Sequence, residues 1–173
     1  MKTTKQFSIM MAVVLLSLSI NSCKDQLEEA ESKSITITLH VDTDNISQQN
    51  EESTCYFTYS VFPVDPPYNF KQVDGVSVEN FTTPVRLEDE ITWVGVSASS
   101  PYTDDVKIKK IKFKQGKKIL NEEELLDEAR VFGIVKNGIK GDKEKYWIEF
   151  TVFNNGIKRN GIFKIDPKLQ VIN

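Results

Sequence analysis

A strict alternation of apolar and polar residues is the feature that most constrains the fold of this chain. Within residues 35–41, Ile35, Ile37, Leu39 and Val41 share one face and polar side chains occupy the other. This period of two is typical of a β-strand that is buried on one side. Similar short segments recur along the chain between turn-forming residues, and we count roughly seven to nine strands in all.

This pattern predicts an all-β domain over residues 34–173. The favoured architecture is an antiparallel β-sandwich, immunoglobulin-like in its layering, with one short helix. A small β-barrel is the alternative, because a closed sheet also consists of short strands separated by turns. Strands do not alternate with helices, so the sequence does not indicate a parallel α/β sheet.

The middle of the chain contains further predicted strands, over residues 54–62, 91–98, 106–113 and 131–135, and a long exposed loop over residues 42–53. The alternation within the third of these strands breaks at Lys109 and Lys110. A β-bulge at this point would return Ile111 to the apolar face, because one extra residue restores the phase.

The clearest local signal is a β-hairpin near the end of the sequence. Residues 146–153 alternate, and the Asn155-Gly156 pair that follows is preferred in two-residue type I′ turns. The returning strand is predicted over residues 157–165. With the turn at these two residues, the expected cross-strand pairs are Phe150 with Gly161, Ile148 with Phe163, and Tyr146 with Ile165.

The one helix is predicted from capping chemistry. Asn121 can act as an N-cap, and the three glutamates at 122–124 would place negative charge at the positive end of the helix dipole. The apolar stripe of this helix would consist of Leu125, Leu126 and Ala129.

Residues 1–22 differ from the rest of the chain. Lys2 and Lys5 precede an apolar run over residues 9–20, which is the pattern of a secretory signal peptide. The run is shorter than the roughly 20 apolar residues that a transmembrane helix needs. Ser22 and Cys23 follow it directly.

The end of this leader resembles the lipobox of bacterial lipoproteins, in which a small residue precedes an acylated cysteine. The resemblance implies cleavage after residue 22, attachment of diacylglycerol and fatty acyl chains such as palmitate to Cys23, and membrane attachment through that anchor. An ordinary signal peptide with an incidental cysteine and a retained transmembrane anchor are the alternatives.

Residues 23–33 are expected to form a polar, acidic tether, since residues 24–31 contain only one large apolar residue, Leu27. A cysteine followed by lysine and acids also resembles the export signal of surface lipoproteins of the Bacteroidota. The resemblance implies a cell-envelope protein of the outer membrane. Both the cell surface and the inner leaflet of that membrane stay open as locations.

Composition and motifs argue against several functions. The formal net charge of −3 is unlike that of a nucleic-acid-binding protein. The chain has one histidine, His40, and lacks the nucleophile-elbow, phosphate-loop, dinucleotide and His-Glu-x-x-His motifs. Cys55 falls on the apolar face of its strand, where a thiol behaves as a small hydrophobic group. We therefore expect no enzyme, no cofactor and no metal site.

Aromatic residues in proline-containing loops are the candidates for ligand binding. These are Tyr68, Phe70 and Tyr102, which would offer large contact areas at low entropic cost. The leading hypothesis is a lipid-anchored, non-catalytic binding module for an envelope protein or a glycan. A structural or accessory subunit of an envelope complex is the alternative, and a small hydrolase is the weakest one.

Overall fold

The computed structural model describes residues 32–63, 68–73, 76–122, 124–126 and 131–173. The expected signal peptide, the lipidation of Cys23 and nearly all of the tether fall on residues 1–31, outside the described residues. Residues Glu31–Asn173 form one compact unit. Every described strand and every buried core residue lies within this unit, so it has a complete core of its own.

Twelve strands and two short helices follow one another along the described chain. In chain order they are β1 (Ser34–Val41), α1 (Glu51–Thr54), β2 (Cys55–Phe62), β3 (Tyr68–Lys71), a 3₁₀ helix (Val78–Asn80), β4 (Thr82–Val85), β5 (Glu90–Ser97), β6 (Asp105–Gly116), β7 (Glu124–Leu126), β8 (Val131–Ile134), β9 (Lys143–Asn154), β10 (Ile157–Lys158), β11 (Phe163–Ile165) and β12 (Lys168–Val171).

The strands form two sheets that pack face to face, which confirms the predicted all-β sandwich. Sheet I has the order β3-β2-β1-β5-β8, and sheet II has the order β4-β12-β9-β6-β7, with β10 and β11 also paired to β9. Both sheets are mixed, because β1 pairs with β5 and β12 pairs with β4 in parallel. The expectation of purely antiparallel sheets was wrong, since a period of two does not encode strand direction.

The core lies between the two sheets and follows the alternation in the sequence. In β1 the burial alternates along the strand, with Ile37, Leu39 and Val41 fully buried. In β9 the inward positions are held by Tyr146, Ile148 and other fully buried residues. Burial of such side chains contributes about 1.5–3 kcal/mol each.

The predicted bulge in β6 is confirmed. Ile108 pairs with Phe150 of β9, whereas Lys110 pairs with the preceding residue, Glu149, so Lys109 is the extra residue. Ile111 is consequently buried in the core.

The terminal hairpin is confirmed at its turn, but its register was wrong. Asn155 and Gly156 both have positive φ, 50° and 78°, as a type I′ turn requires. Beyond Lys158 the pairing shifts by two residues, so that Phe163 faces Phe150 and Ile165 faces Ile148. A shift of two residues keeps every side chain on its face, and the apolar pattern therefore could not exclude it.

The helix predicted after Asn121 is also wrong where the structure describes it. Glu124–Leu126 form β7, which pairs with β6 and places Leu125 in the core. The Glu124 carboxylate forms ion pairs with Lys110 at 3.1 Å and with Lys112 at 3.3 Å, both on the neighbouring strand β6. These tertiary contacts outweigh the local capping signal, and residues 123 and 127–130 lie outside the described part.

The segment predicted as a long exposed loop, residues 42–53, is more ordered than expected. Ile46 within it is fully buried. The α-helix of the described chain, α1, starts in this segment and has only four residues. This short helix is a different element from the helix predicted after Asn121.

Candidate functional site

The three candidate aromatic residues do not lie together. Tyr68 belongs to β3 and pairs with Val61, near the beginning of β1, and its side chain lies outside the described residues. Tyr102 lies in the turn after β5, beyond the opposite end of β1, and is fully exposed. The two ends are separated by about six residues of extended strand, or roughly 20 Å.

Phe70 is a strand residue rather than a loop residue. Its ring stacks on that of Tyr59 in β2, with centroids 4.6 Å apart and planes inclined by 12°. Tyr59 in turn meets Phe81 edge-on at 6.2 Å, so Phe70 is joined to the core through a chain of rings. Phe70 nevertheless keeps 43% of its surface exposed.

Phe70 forms one wall of a cleft between the two sheets. The cleft has a volume of about 230 Å³ and lies between the β2–β3 side of sheet I and the β4 edge of sheet II. Most of its lining is apolar. The lining residues are Lys33, Ile35, Tyr59, Val61, Phe70, Pro84, Arg86, Asp89 and Ile172.

The cleft also contains charged groups of both signs. Asp89 is almost fully buried, and its two carboxylate oxygens accept hydrogen bonds from the backbone N–H groups of Lys33 at 3.0 Å and Arg86 at 2.7 Å. Asp89 thus connects the chain just before β1 to the chain just after β4. The side chains of Lys33 and Arg86 are half-buried, and neither makes an ion pair or hydrogen bond with any described residue.

A polar network occupies the opposite end of the sandwich. The buried hydroxyl of Thr43 donates to Asp104 Oδ2 at 2.8 Å and lies 2.7 Å from the hydroxyl of Ser97. The second oxygen of Asp104 accepts the N–H of Asn155 at 3.1 Å. Chiefly through the hydrogen bond from Thr43, this network lowers the pKa of Asp104. It ties the terminal hairpin to neighbouring loops.

His40 and Cys55 carry side chains of types that often act as a base or a nucleophile in enzymes. His40 stacks on Tyr56 with centroids 4.5 Å apart, its Nε2 lies 2.9 Å from the Thr58 hydroxyl, and burial lowers its pKa. Burial raises the pKa of the Cys55 thiol to about 12, so the thiol stays protonated at neutral pH. Among the described residues, no cluster of three or more His, Cys, Asp or Glu could hold a metal ion.

Trp147 projects from the outer face of sheet II, where it is held between two lysines. The ammonium groups of Lys114 and Lys164 lie 3.8 and 5.0 Å from its ring centroid. Both lysines also form ion pairs, with Asp166 and Glu149 respectively. The ring is thus covered by its own neighbours, and this face offers less open aromatic surface than the cleft.

The cleft residues other than Phe70 were not singled out from the sequence. Lys33, Tyr59, Arg86 and Ile172 come from widely separated segments, and no motif connects them. Glu144 was also missed, although a signal was present: it occupies an inward position in the alternation of β9, where an acid is unusual.

No protein-family model and no curated protein matches the chain. The fold is similar to that of a solved structure, the inclusion body protein PixA from Burkholderia cenocepacia, with a TM-score of 0.56. The match covers 83% of this chain and 98% of that chain at 14% sequence identity. A likeness at this level of identity shows the fold alone. In the part of the chain that the structure describes, no helix has the length and apolar character needed to cross a bilayer.

Proposed function

We propose that this protein is a lipid-anchored binding module of the cell envelope, and that it holds its ligand in the cleft between the sheets. The leader pattern and Cys23 support the anchor and the outer-membrane location. The observation that carries the binding role is the cleft itself, where an aromatic wall and unpaired cations meet in one concave site.

The chemistry of the cleft favours binding over catalysis. Both oxygens of its carboxylate, Asp89, accept backbone N–H groups, so this residue is poorly placed to move a proton. The described lining contains no Ser, Cys or His that could act as a nucleophile or general base. The remaining groups can contact a ligand and orient it.

The size of the cleft favours one part of a larger ligand. Its volume of about 230 Å³ is below the roughly 300–1,000 Å³ of pockets that enclose drug-sized molecules. One ring or one side chain fits such a space. This agrees with a ligand that is an exposed end of an envelope protein or of a glycan.

The test compares three alanine variants of the full chain in mild detergent: Phe70→Ala, Tyr102→Ala and Ile139→Ala. Each is immobilised and exposed to solubilised envelope proteins and to a panel of glycans. We expect Phe70→Ala to reduce retention of the bound species at least about tenfold, since a ring that anchors binding contributes roughly 2 kcal/mol or more. Tyr102→Ala and Ile139→Ala, which truncate exposed side chains outside the cleft lining, should retain wild-type binding.

Two outcomes would contradict this function. If only Tyr102→Ala loses binding, the site lies at the opposite end of the sandwich. If a partner is retained equally by all three variants, the protein acts as an accessory subunit through another surface. Thermal melts of each variant separate a lost contact from a lost fold.

A further inference from the structure

Two cations of the cleft are exceptional in this molecule. The other half-buried Lys and Arg side chains of the described chain each contact an acceptor: Lys110 meets Glu124, Lys114 and Lys145 meet Asp166, Arg159 meets the Thr43 carbonyl, and Lys168 meets Asn80. Lys33 and Arg86 are equally half-buried but make no such contact with the described residues. A partly desolvated charge without a partner costs free energy, which explains why the other half-buried cations are paired.

The carboxylate that could neutralise them is already engaged. Asp89 lies in the same cleft, but its oxygens accept the backbone N–H groups of Lys33 and Arg86 rather than their charged ends. Asp89 therefore fixes the positions of both residues in the cleft and leaves their side-chain donors available. An ammonium and a guanidinium together supply several donors to one anionic group.

The rest of the cleft lining determines which class of molecule can bring an anionic group to these two cations. Ile35, Val61, Pro84 and Ile172 form apolar walls beside the stacked Phe70 and Tyr59 rings. The described lining has no Asn, Gln, Ser or Thr side chain to satisfy the many hydroxyl groups of a sugar. An apolar side chain next to a carboxylate fits these groups better than a glycan does.

We propose that the cleft captures the free carboxyl terminus of a protein whose last residue is apolar. The terminal carboxylate binds Arg86 and Lys33, and the last side chain contacts Phe70 and the aliphatic walls. β3, which carries Phe70, ends the described order of sheet I, so an extended peptide can approach along this edge. This inference rests on the proposed function and specifies the ligand of the same cleft.

The test uses pools of octapeptides that are random except for the last residue, which is Leu, Phe, Ser or Asp. Each pool is made as the free acid and as the carboxamide, and its retention is measured on the immobilised, self-contained unit Glu31–Asn173. We expect the Leu and Phe acids to be retained roughly tenfold better than their amides, because the amide removes the charge and replaces one acceptor oxygen with an NH₂ donor.

Variants then assign the effect to the cleft. Arg86→Gln and Lys33→Gln should each reduce retention of the Leu and Phe acids toward that of their amides. Lys140→Gln removes an exposed cation outside the cleft lining and should change nothing. Thermal melts of all three variants show that the fold is retained.

The inference is overturned if acids and amides are retained alike, or if Arg86→Gln and Lys33→Gln retain the acids as well as Lys140→Gln does. It is also overturned if laurate binds the cleft while no acid pool is preferred, since the carboxylate would then belong to a lipid. In these cases binding that is still lost in Phe70→Ala leaves the proposed function standing. Binding that survives Phe70→Ala contradicts the proposed function itself.

Discussion

Glu144 has an environment that opposes its own charge. Its carboxylate is fully buried, and Oε2 accepts the N–H groups of Ile119 at 2.5 Å and Leu120 at 3.0 Å. The other oxygen has no partner among the described residues. Burial raises the pKa of Glu144, and the two backbone hydrogen bonds oppose this shift only in part. The residue therefore stabilises the backbone at Ile119 and Leu120 at an electrostatic cost.

Glu144→Gln should make stability less dependent on pH. Because the folded-state pKa is above the unfolded one, the native state binds this proton more tightly, and the associated stability is lost as pH rises through the folded-state pKa. The amide keeps an acceptor for both N–H groups but carries no charge. We expect the variant to gain on the order of 1 kcal/mol relative to wild type between pH 4 and pH 8, measured by urea unfolding.

The control for this measurement is Glu52→Gln, which removes a charge from an exposed position of α1. Its stability should follow that of the wild type across the same pH range. If Glu144→Gln also follows the wild type in parallel, the buried carboxylate is not the source of the effect.

Cys55 should be inert in the folded protein. Its thiol is buried, and a pKa raised to about 12 leaves almost no thiolate at neutral pH. We expect the unit Glu31–Asn173 to react with a disulfide reagent only in denaturant, at one thiol per chain. Rapid labelling of the native protein at pH 7 would contradict this environment.

At the scale of single elements, the hairpin depends on its turn. Gly156 has a φ of +78°, and a Cβ added to it would meet no atom within 4 Å. The cost of Gly156→Val is therefore conformational, and we expect a loss of about 1–2 kcal/mol in chemical denaturation. Gly156→Asn should lose less, because asparagine tolerates positive φ. Equal losses for both variants would show that the turn does not require this conformation.

β5 and β6 belong to different sheets and approach closely at Gly95. A Cβ on Gly95 would lie 2.6 Å from the carbonyl oxygen of Val106 and 2.7 Å from its Cγ1. Gly95→Ala must push the two sheets apart, and we expect a loss of about 1–3 kcal/mol. Val94→Ala changes the exposed neighbour and should have a small effect. A Gly95→Ala variant as stable as Val94→Ala would contradict this close approach.

These elements also show what the sequence could predict. The alternation identified the inward faces of β1 and β9, and the phase break located the bulge at Lys109, because both are local patterns. The capping pattern after Asn121 predicted the wrong element, because β7 is stabilised by pairing with β6. Lys110 and Lys112 of β6 form ion pairs with β7, and a local capping pattern contains no information about these partners. Parallel pairing and the shifted hairpin register were equally invisible, because they preserve the facing of every side chain.

The cleft could be anticipated only in part. The sequence predicts Phe70 as an aromatic loop residue, whereas in the structure it is a half-exposed strand residue whose ring stacks on Tyr59. Asp89 brings Arg86 and Lys33 together by accepting a hydrogen bond from the backbone N–H of each. The bond between Lys33 and Asp89 connects residues that are 56 positions apart in the chain. Such contacts depend on the packing of the two sheets and leave no pattern in the sequence.

At the scale of the whole molecule, the two ends of the sandwich differ. The cleft end holds Lys33, at the point where the chain enters β1, and the other end is closed by the network around Thr43 and Asp104. An anchor at Cys23 would be ten residues before Lys33, a reach of at most roughly 35 Å when fully extended. The proposed anchor would therefore be joined to the domain through Lys33, a residue of the cleft lining.

Cys23→Ala tests this arrangement directly. We expect the wild type to incorporate an alkyne-labelled palmitate and to sediment with membranes, and the variant to lose both properties, since acyl chains provide the proposed membrane affinity. Cys55→Ala is the matched control: it removes the other cysteine of the chain, which is buried, and should retain the label. A Cys23→Ala protein that still takes up label and stays with membranes would contradict the anchor. If Cys23→Ala is released from membranes but still binds its ligand, membrane attachment and ligand binding are separate properties. We expect this result, because the described lining of the cleft does not include Cys23.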